Sequence, residues 1–139
     1  MSRNQEHAVS IRIIGDGLDP NEITKLLNIE PSEAHKKGDE NVKKSKSGKL
    51  MVFSPFDTGL WAYSSCEDKE VSLESHIKCL LTVFEPSWEK LKDICNRGYR
   101  IDLFCGVFSS SNGQTGISIG HDIIKKLSEV NISIDICYY

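Results

Sequence analysis

The sequence predicts an α+β fold: one domain with a mainly antiparallel sheet, helices packed on one face of it, and a ferredoxin-like relative as the first candidate. Two observations carry this prediction. Apolar and polar residues alternate, as in strands with one buried face, in three segments: 8–14, 99–108 and 132–139. Between them, apolar residues recur every three or four positions, as on one side of a helix, in three others: 18–27, 72–95 and 123–130.

The best-specified stretch, Leu18 to Asp39, follows the first strand and a Gly-Asp-Gly turn. Three residues satisfy rules for a helix start: Asp19 as N-cap, Pro20 at the first helical position and Glu22 in a capping box. Three apolar residues then share one face: Ile23, Leu26 and Leu27. We expect Pro31 to end this helix, which must lie on an apolar surface.

The segment after this helix has little to bury. Residues 40–50 are rich in Lys, Ser and Gly, and we predict a mobile loop there. Residues 51–53 are apolar enough for a brief strand, and Gly59–Ser64 for a longer one. We expect Trp61 in that strand to be largely buried beside the first helix.

The second half of the chain alternates helix and strand signals. Ser72 suits an N-cap, Pro86 interrupts the long helical pattern, and Gly98 supplies a stop. Asn112-Gly113 favours a type I′ hairpin leading into a short strand at 116–119. A third helix, which Asn131 can close, then precedes the last alternating strand. At 139 residues the chain fits one domain, 1–139, with a full core.

Composition excludes several classes of protein. Hydrophobic content of 39% and charged content of 27% are ordinary for a soluble globular domain, and no apolar run approaches the ~20 residues that cross a bilayer. The N-terminal segment lacks a secretory signal, so we expect a cytoplasmic location. Five cysteines without a CxxC pair predict free thiols, and four scattered histidines form no local metal motif. We therefore expect no metal and no other cofactor.

One local cluster has the composition of a site: residues 35–39. In an enzyme, His35 would be a base or ligand, Lys37 an anion clamp and Asp39 an orienting carboxylate, with Ser64 or Ser65 beside Trp61. Each has a structural alternative. Gly38-Asp39 suits a turn, His35 can bind a backbone carbonyl, and Trp61 is more often a core residue. Both interpretations stay open at this level.

Charge is unevenly distributed although the net charge is only −3. Residues 36–49 contain six lysines and two carboxylates, whereas residues 67–74 are acidic. One basic loop on an acidic protein is a weak basis for nucleic-acid binding, because affinity grows with the number of phosphates neutralised. We therefore predict a non-catalytic intracellular binding module with a protein partner, of immunity or regulatory type, which is a monomer or weak homodimer. The alternative is a small enzyme or small-molecule-binding domain using His35, Lys37, Asp39 and Trp61.

A set of residues along the chain also carries a family resemblance. They are Gly15, Leu18-Asp19-Pro20, Ile23, Leu27, Ile29-Glu30-Pro31, His35, Lys37-Gly38-Asp39 and Gly59-Leu60-Trp61. Together they resemble the uncharacterised bacterial family catalogued as domain of unknown function 4279, over most of the chain. The resemblance implies an α+β domain but no catalytic residues. The Lys-rich stretch 40–50 matches no feature of that family.

Overall fold

A computed structural model describes residues 5–65, 70–109 and 117–139, without the side chains of Gln5 and Ser109. The strands are β1 (Gln5–Gly15), β2 (Glu33–His35), β3 (Asn41–Lys44), β4 (Leu50–Phe53), β5 (Gly59–Ser64), β6 (Arg100–Ser109) and β7 (Ser133–Tyr138). The helices are α1 (Pro20–Leu27), α2 (Leu73–Phe84), α3 (Trp88–Asn96) and α4 (His121–Ser128), with a 3-10 turn at Glu85–Ser87 between α2 and α3.

Five of the strands form one open sheet in the order β2-β5-β1-β6-β7. The pairs β1–β5, β1–β6 and β2–β5 are antiparallel, whereas β6–β7 is parallel. This confirms the predicted α+β fold with a mainly antiparallel sheet. The ferredoxin-like relation is not confirmed: α4 connects two neighbouring parallel strands, whereas the split βαβ unit of that fold leaves a strand between them.

The core lies between the helices and one face of this sheet. The alternating apolar residues of the two central strands are buried there: Val9, Ile11, Ile13, Ile101, Leu103, Cys105 and Val107. All of these except Val107 pack in one cluster with apolar residues of all four helices, among them Ile23, Leu80, Leu91 and Leu127. The period-2 pattern of the sequence therefore identified the buried face correctly.

Helix α1 begins as the sequence predicts but ends earlier. The Asp19 carboxylate accepts a hydrogen bond from the Asn21 amide (3.1 Å), which fixes the start. The end is set by Asn28, whose backbone is left-handed (φ 58°) and whose amide donates to the Thr24 carbonyl (2.7 Å). Pro31 thus lies beyond the end of the helix and is not its stop.

The predicted start of α2 and the predicted end of α3 are both present in the structure. The Ser72 hydroxyl accepts from the Ser75 amide (3.1 Å) and caps α2, and Gly98 follows α3 with φ +100°. The hairpin predicted at 112–113 lies outside the described residues, and residues 117–119 form no strand. Cys79, Cys95, Cys105 and Cys137 are not in disulfide bonds, and Cys66 lies outside the described part of the chain.

The Lys-rich segment has regular structure that was predicted only in part: the brief strand expected at 51–53 is present as β4 (Leu50–Phe53), but its partner β3 was missed. Strands β3 and β4 pair antiparallel as a two-stranded sheet, here called the ribbon (residues 41–53). Its turn is closed by a hydrogen bond from the Ser45 amide to the Lys49 carbonyl (2.8 Å) and by Gly48 at φ +88°. Cross-strand backbone bonds need no apolar periodicity, which explains why a polar, Lys-rich sequence can form them. The mobility predicted for residues 40–50 stays a prediction.

Candidate functional site

His35 closes strand β2 at the outer edge of the sheet, opposite Leu60 of β5. Its ring stacks on Phe56, with centroids 3.5 Å apart and ring planes within 11° of parallel. The His35 Nδ1 atom is buried and has no hydrogen-bond partner among the described residues. This imidazole therefore packs as an aromatic surface and retains one unused polar atom.

Asp39 completes a tight turn after β2. Its carboxylate accepts from the Lys36 amide (2.8 Å), while its own amide donates to the Lys36 carbonyl (3.1 Å). Gly38, at φ +90°, donates to the Phe56 carbonyl (2.8 Å), and the Phe56 amide donates to Asp39 (3.2 Å). Carboxylate-to-amide bonds of this kind fix turns. The turn and Phe56 together hold the base of the ribbon.

Lys37 points to a different neighbour. Its ammonium lies 3.4 Å from the carboxylate of Asp16, in the turn between β1 and α1, and both side chains are largely exposed. A hydrogen bond from Thr58 and then the Lys37 charge hold the pKa of Asp16 below its usual value. His35, Lys37 and Asp39 thus each have a separate partner, and their charged groups do not form contacts with one another in the described structure.

Trp61 lies on the opposite face of the sheet from His35. It pairs with Ala34, the neighbour of His35 in β2, and side chains alternate between faces along a strand. Its side chain is 0% exposed, packs edge-on against Phe84 and donates from Nε1 to the Thr24 hydroxyl in α1 (3.0 Å). The expected burial of Trp61 beside the first helix is confirmed, and the structure does not join it to residues 35–39.

A charged cluster on the helix-free face of the sheet was missed by sequence reasoning. Asp102 of β6, although 0% exposed, accepts two hydrogen bonds from Arg12 of β1 (2.9 and 2.8 Å) and one from Arg100 (2.9 Å). Asp135 of β7 lies 3.7 and 3.4 Å from the same guanidinium groups. Arg12 also lies over the Phe104 ring, 4.5 Å from its centroid. Two arginines and two carboxylates therefore neutralise one another across three strands.

The pKa of Asp102 reflects this arrangement. Burial alone would raise it, but hydrogen bonds from Arg12 and Arg100, with the Arg12 charge, hold the pKa below its usual value. Only the pairing of β1 with β6 brings Arg12 and Asp102 together, and they are 90 positions apart in the chain. No local spacing could have identified the pair.

A second polar cluster lies on the helix side, at the far end of β1. His7 and His76 are both buried, and their ring centroids are 6.3 Å apart. His7 Nδ1 lies 2.9 Å from the Val71 carbonyl, and His76 Nδ1 lies 3.0 Å from the Ser65 hydroxyl. Ser65, one of the two serines considered for a site beside Trp61, is thus a neighbour of a buried histidine in α2. The His76 position on an otherwise apolar helix face was the available signal.

The ribbon carries the most distinctive exposed surface. Five apolar side chains on its two strands are at least 40% exposed: Val42, Leu50, Met51, Val52 and Phe53. Four lysines alternate with them or occupy its turn: Lys43, Lys44, Lys46 and Lys49. Within the described structure, β3 and β4 mainly contact each other. An apolar surface of this kind without a covering element is typical of an interaction site.

Among the described residues, no group of His, Cys, Asp and Glu side chains is arranged to hold a metal ion. In the same part of the chain, no helix has the length and apolar character to cross a membrane.

Comparison with known proteins places these features in a family. No curated protein and no solved structure matches the chain. A family model described as "Domain of unknown function (DUF4279)" matches residues 5–139, which include both the sheet and the ribbon. The match extends from the first described residue of β1 to the residue that follows β7. The chain therefore belongs to the DUF4279 family.

Proposed function

We propose that this protein is a non-catalytic binding module of the bacterial cytoplasm, and that it holds a protein partner through the ribbon. An immunity or regulatory role, in which the domain restrains another protein, is the proposed context. The observation that carries the proposal is the exposed apolar surface of β3 and β4. Val52 is 77% and Leu50 63% exposed, although both are apolar residues in paired strands.

The geometry of the ribbon supports a docking role. An isolated two-stranded hairpin is at best marginally stable in water, so apolar residues on such a hairpin are normally covered. Here Val42 lies opposite Val52, and both are exposed. Met51 and Phe53 lie on the other face of the same strand, also exposed. Contact with a partner would bury apolar area that the domain itself leaves in water.

The charge of the ribbon indicates the character of the partner. Within the described residues, its four lysines form no salt bridge. Unpaired lysines around an apolar patch match a partner with an apolar centre and an acidic rim. Such complementarity speeds and orients association, and salt weakens it over a Debye length of about 8 Å. The large apolar share of this surface favours a protein over a nucleic acid, whose binding rests on phosphate neutralisation.

Residues 35–39 support the ribbon in this proposal. The Lys36–Asp39 turn and Phe56 join the two ends of the ribbon, and His35 stacks on Phe56. A fixed base reduces the conformational entropy that the ribbon would lose on binding. These residues would then position the binding surface without touching the partner.

Site-specific photocrosslinking in cells tests the proposal. A photoreactive phenylalanine analogue at Val52 should give a discrete adduct with one acidic protein, to be identified by mass spectrometry. The charge reversals Lys43→Glu and Lys44→Glu should weaken that adduct, as should higher ionic strength in a purified mixture of the two proteins.

Two matched controls accompany this experiment. The same analogue at Lys90, which is exposed on α3, should give no adduct, and the pair Lys25→Glu and Lys90→Glu should leave the Val52 adduct unchanged. Equal adducts from Val52 and Lys90, or no protein adduct from any ribbon position, would contradict the proposal.

A small-molecule site near His35 is the second candidate, and one observation favours it. The buried Nδ1 of His35, which has no hydrogen-bond partner among the described residues, could donate a hydrogen bond to a ligand or accept one from it. A ligand at 100 times its dissociation constant should stabilise the fold by about 2.7 kcal/mol, and His35→Ala should abolish that thermal shift. Turnover of a screened compound that is lost in His35→Ala would favour an enzyme over the binding module.

A further inference from the structure

Strand β7 forms one edge of the five-stranded sheet, and no described strand lies on its outer side. Its inner side pairs with β6, and the Tyr139 amide continues that pairing by donating to the Val107 carbonyl (2.9 Å). Backbone groups alternate sides along a strand, so those of Ile134, Ile136 and Tyr138 point away from β6. No strand in the described part of the chain pairs with them.

The two edges of the sheet differ in their protection. The β2 edge is three residues long, contains Glu33 and is followed by Lys36, features that discourage pairing with another chain. The β7 edge is six residues long, contains neither Lys nor Pro, and exposes Ile136 (38%) and Tyr138. A long apolar edge of this kind is a template for strand addition.

A groove of about 400 Å³ lies beside this edge, between β7 and α4. No residue that lines it is charged; its helix side consists of Ile124, Leu127 and Ser128 of α4 and of Asn131, which follows the helix. Two charged residues in or directly after α4 are engaged elsewhere: Glu129, which follows the helix, accepts from the Trp88 indole (3.1 Å), and Lys126 lies 3.4 Å from Glu85. Ile124 is nevertheless 53% exposed. A surface that lacks charge and exposes apolar residues is typical of the centre of a protein interface.

We propose that a second copy of this chain pairs with β7, antiparallel and centred on Ile136, to give a two-fold symmetric dimer with a continuous ten-stranded sheet. In this register Ile136 faces Ile136 of the partner subunit, and Ile134 faces Tyr138 of the partner subunit. All of these residues direct their backbone groups outward, so each opposed pair can exchange two hydrogen bonds. The α4 helices then lie side by side across the two-fold axis, and Ile124 is covered.

Side chains along β7 are complementary to their own copies in this register, which favours a second copy of the chain as the occupant. Asp135 is the charged side chain of β7, and it lies opposite Cys137 of the partner subunit, not opposite its own copy. Each Asp135 is also matched within its subunit by Arg12 and Arg100. Apolar residues therefore meet apolar residues, and no like charges are directly opposed.

Sedimentation velocity of the intact chain from about 1 μM to about 1 mM tests the proposal. The mass should rise from that of one chain to that of two as concentration increases. Ile136→Lys should return the protein to one chain throughout, because two ammonium groups would then face each other across the axis. Val52→Lys, on the ribbon, should leave the association unchanged, which keeps this test separate from that of the ribbon proposal.

A variant that fails to fold is recognised by circular dichroism. In that case Ile124→Lys, at an exposed helix position, takes the place of Ile136→Lys and should likewise prevent association. A single-chain mass at every concentration would overturn the proposal, as would a dimer that persists in a folded Ile136→Lys or Ile124→Lys variant. After either result, a strand from a different protein would be the remaining candidate for pairing with β7.

The register is tested by cysteine substitution in a Cys137→Ser background. Ile136→Cys should give a disulfide-linked dimer under oxidising conditions, since residue 136 faces its own copy. Ile134→Cys should give none, because its opposite residue is Tyr138 of the partner subunit. Crosslinking of Ile134→Cys in preference to Ile136→Cys would overturn the proposed centre.

Discussion

Strand β5 and the ribbon are neighbours in the chain and both carry apolar residues, yet these residues have opposite environments. Both contain aromatic and aliphatic residues in antiparallel strands. In β5, Trp61 is covered by α1 and α2 and bonded to Thr24, whereas on the ribbon Val52 is 77% exposed. The difference shows that apolar residues in a strand are buried only where a further layer of structure covers them. It is also the reason that the ribbon is the surface proposed for binding a partner.

The largest expected difference between core and surface is in thiol reactivity. Burial, and then the charges of Asp102 and Asp135, raise the pKa of the Cys105 thiol to about 12. Its sulfur becomes reactive only when the core opens, so alkylation at pH 8 should be slower by about 10³-fold or more than in denaturant. Mass spectrometry of iodoacetamide-treated protein measures this. If Cys105 is alkylated as fast as the half-exposed Cys137, the core does not protect the Cys105 thiol from solvent.

Truncation at Trp61 should cause the largest change in folding free energy among the substitutions considered. Trp61→Ala should cost about 3–5 kcal/mol, because it leaves a cavity between the sheet and α1. Urea denaturation measures the loss. Trp61→Phe keeps a ring but removes the hydrogen bond to Thr24, and should cost less. An unchanged urea midpoint in Trp61→Ala would remove the contrast with the ribbon.

The buried carboxylate of Asp102 should contribute an intermediate, pH-dependent amount. Its folded-state pKa lies below the ordinary value, so its ion pairs stabilise the fold above the unfolded-state pKa of about 3.9. That stability is lost as pH falls through the lower folded-state pKa. Asp102→Asn should cost about 2 kcal/mol at pH 7, the usual contribution of hydrogen bonds to a charged group, and should remove this part of the acid dependence.

Urea midpoints between about pH 2 and pH 7 measure this effect. Asp93→Asn, at an exposed position on α3, is the matched control and should leave the pH dependence in place. Parallel curves for the native chain and Asp102→Asn would show that the carboxylate does not act in this way.

The smallest change is expected on the ribbon. Val52→Ser should alter the folding free energy by no more than about 0.5 kcal/mol, because the valine is already in water. The same substitution at Val9, which is buried in β1, should cost at least about 2 kcal/mol. Urea denaturation of both variants makes the comparison. A large loss in Val52→Ser would mean that the ribbon is packed against the domain, which would weaken its proposed role in binding.

Some features of this protein were determined by local sequence. The Asp19 and Ser72 caps depend on side-chain oxygens that reach amides two or three residues away, so composition and spacing suffice to predict them. The alternation in β1 and β6 identified the buried face, since strand geometry places every second side chain on the same side. The residues that resemble DUF4279 likewise identified the family.

Other features were decided only by the tertiary structure. Alternation places Trp61 and His35 on faces, but only the pairing of β5 with β2 shows that these faces are opposite ones. From the sequence alone Asp102 is expected to be exposed. The pairing of β1 with β6 brings Arg12, 90 positions away in the chain, into contact with it and so allows its burial. The ribbon and the open β7 edge likewise depend on which strands find partners. Sequence periodicity states which side chains share a face, whereas long-range pairing determines what covers that face.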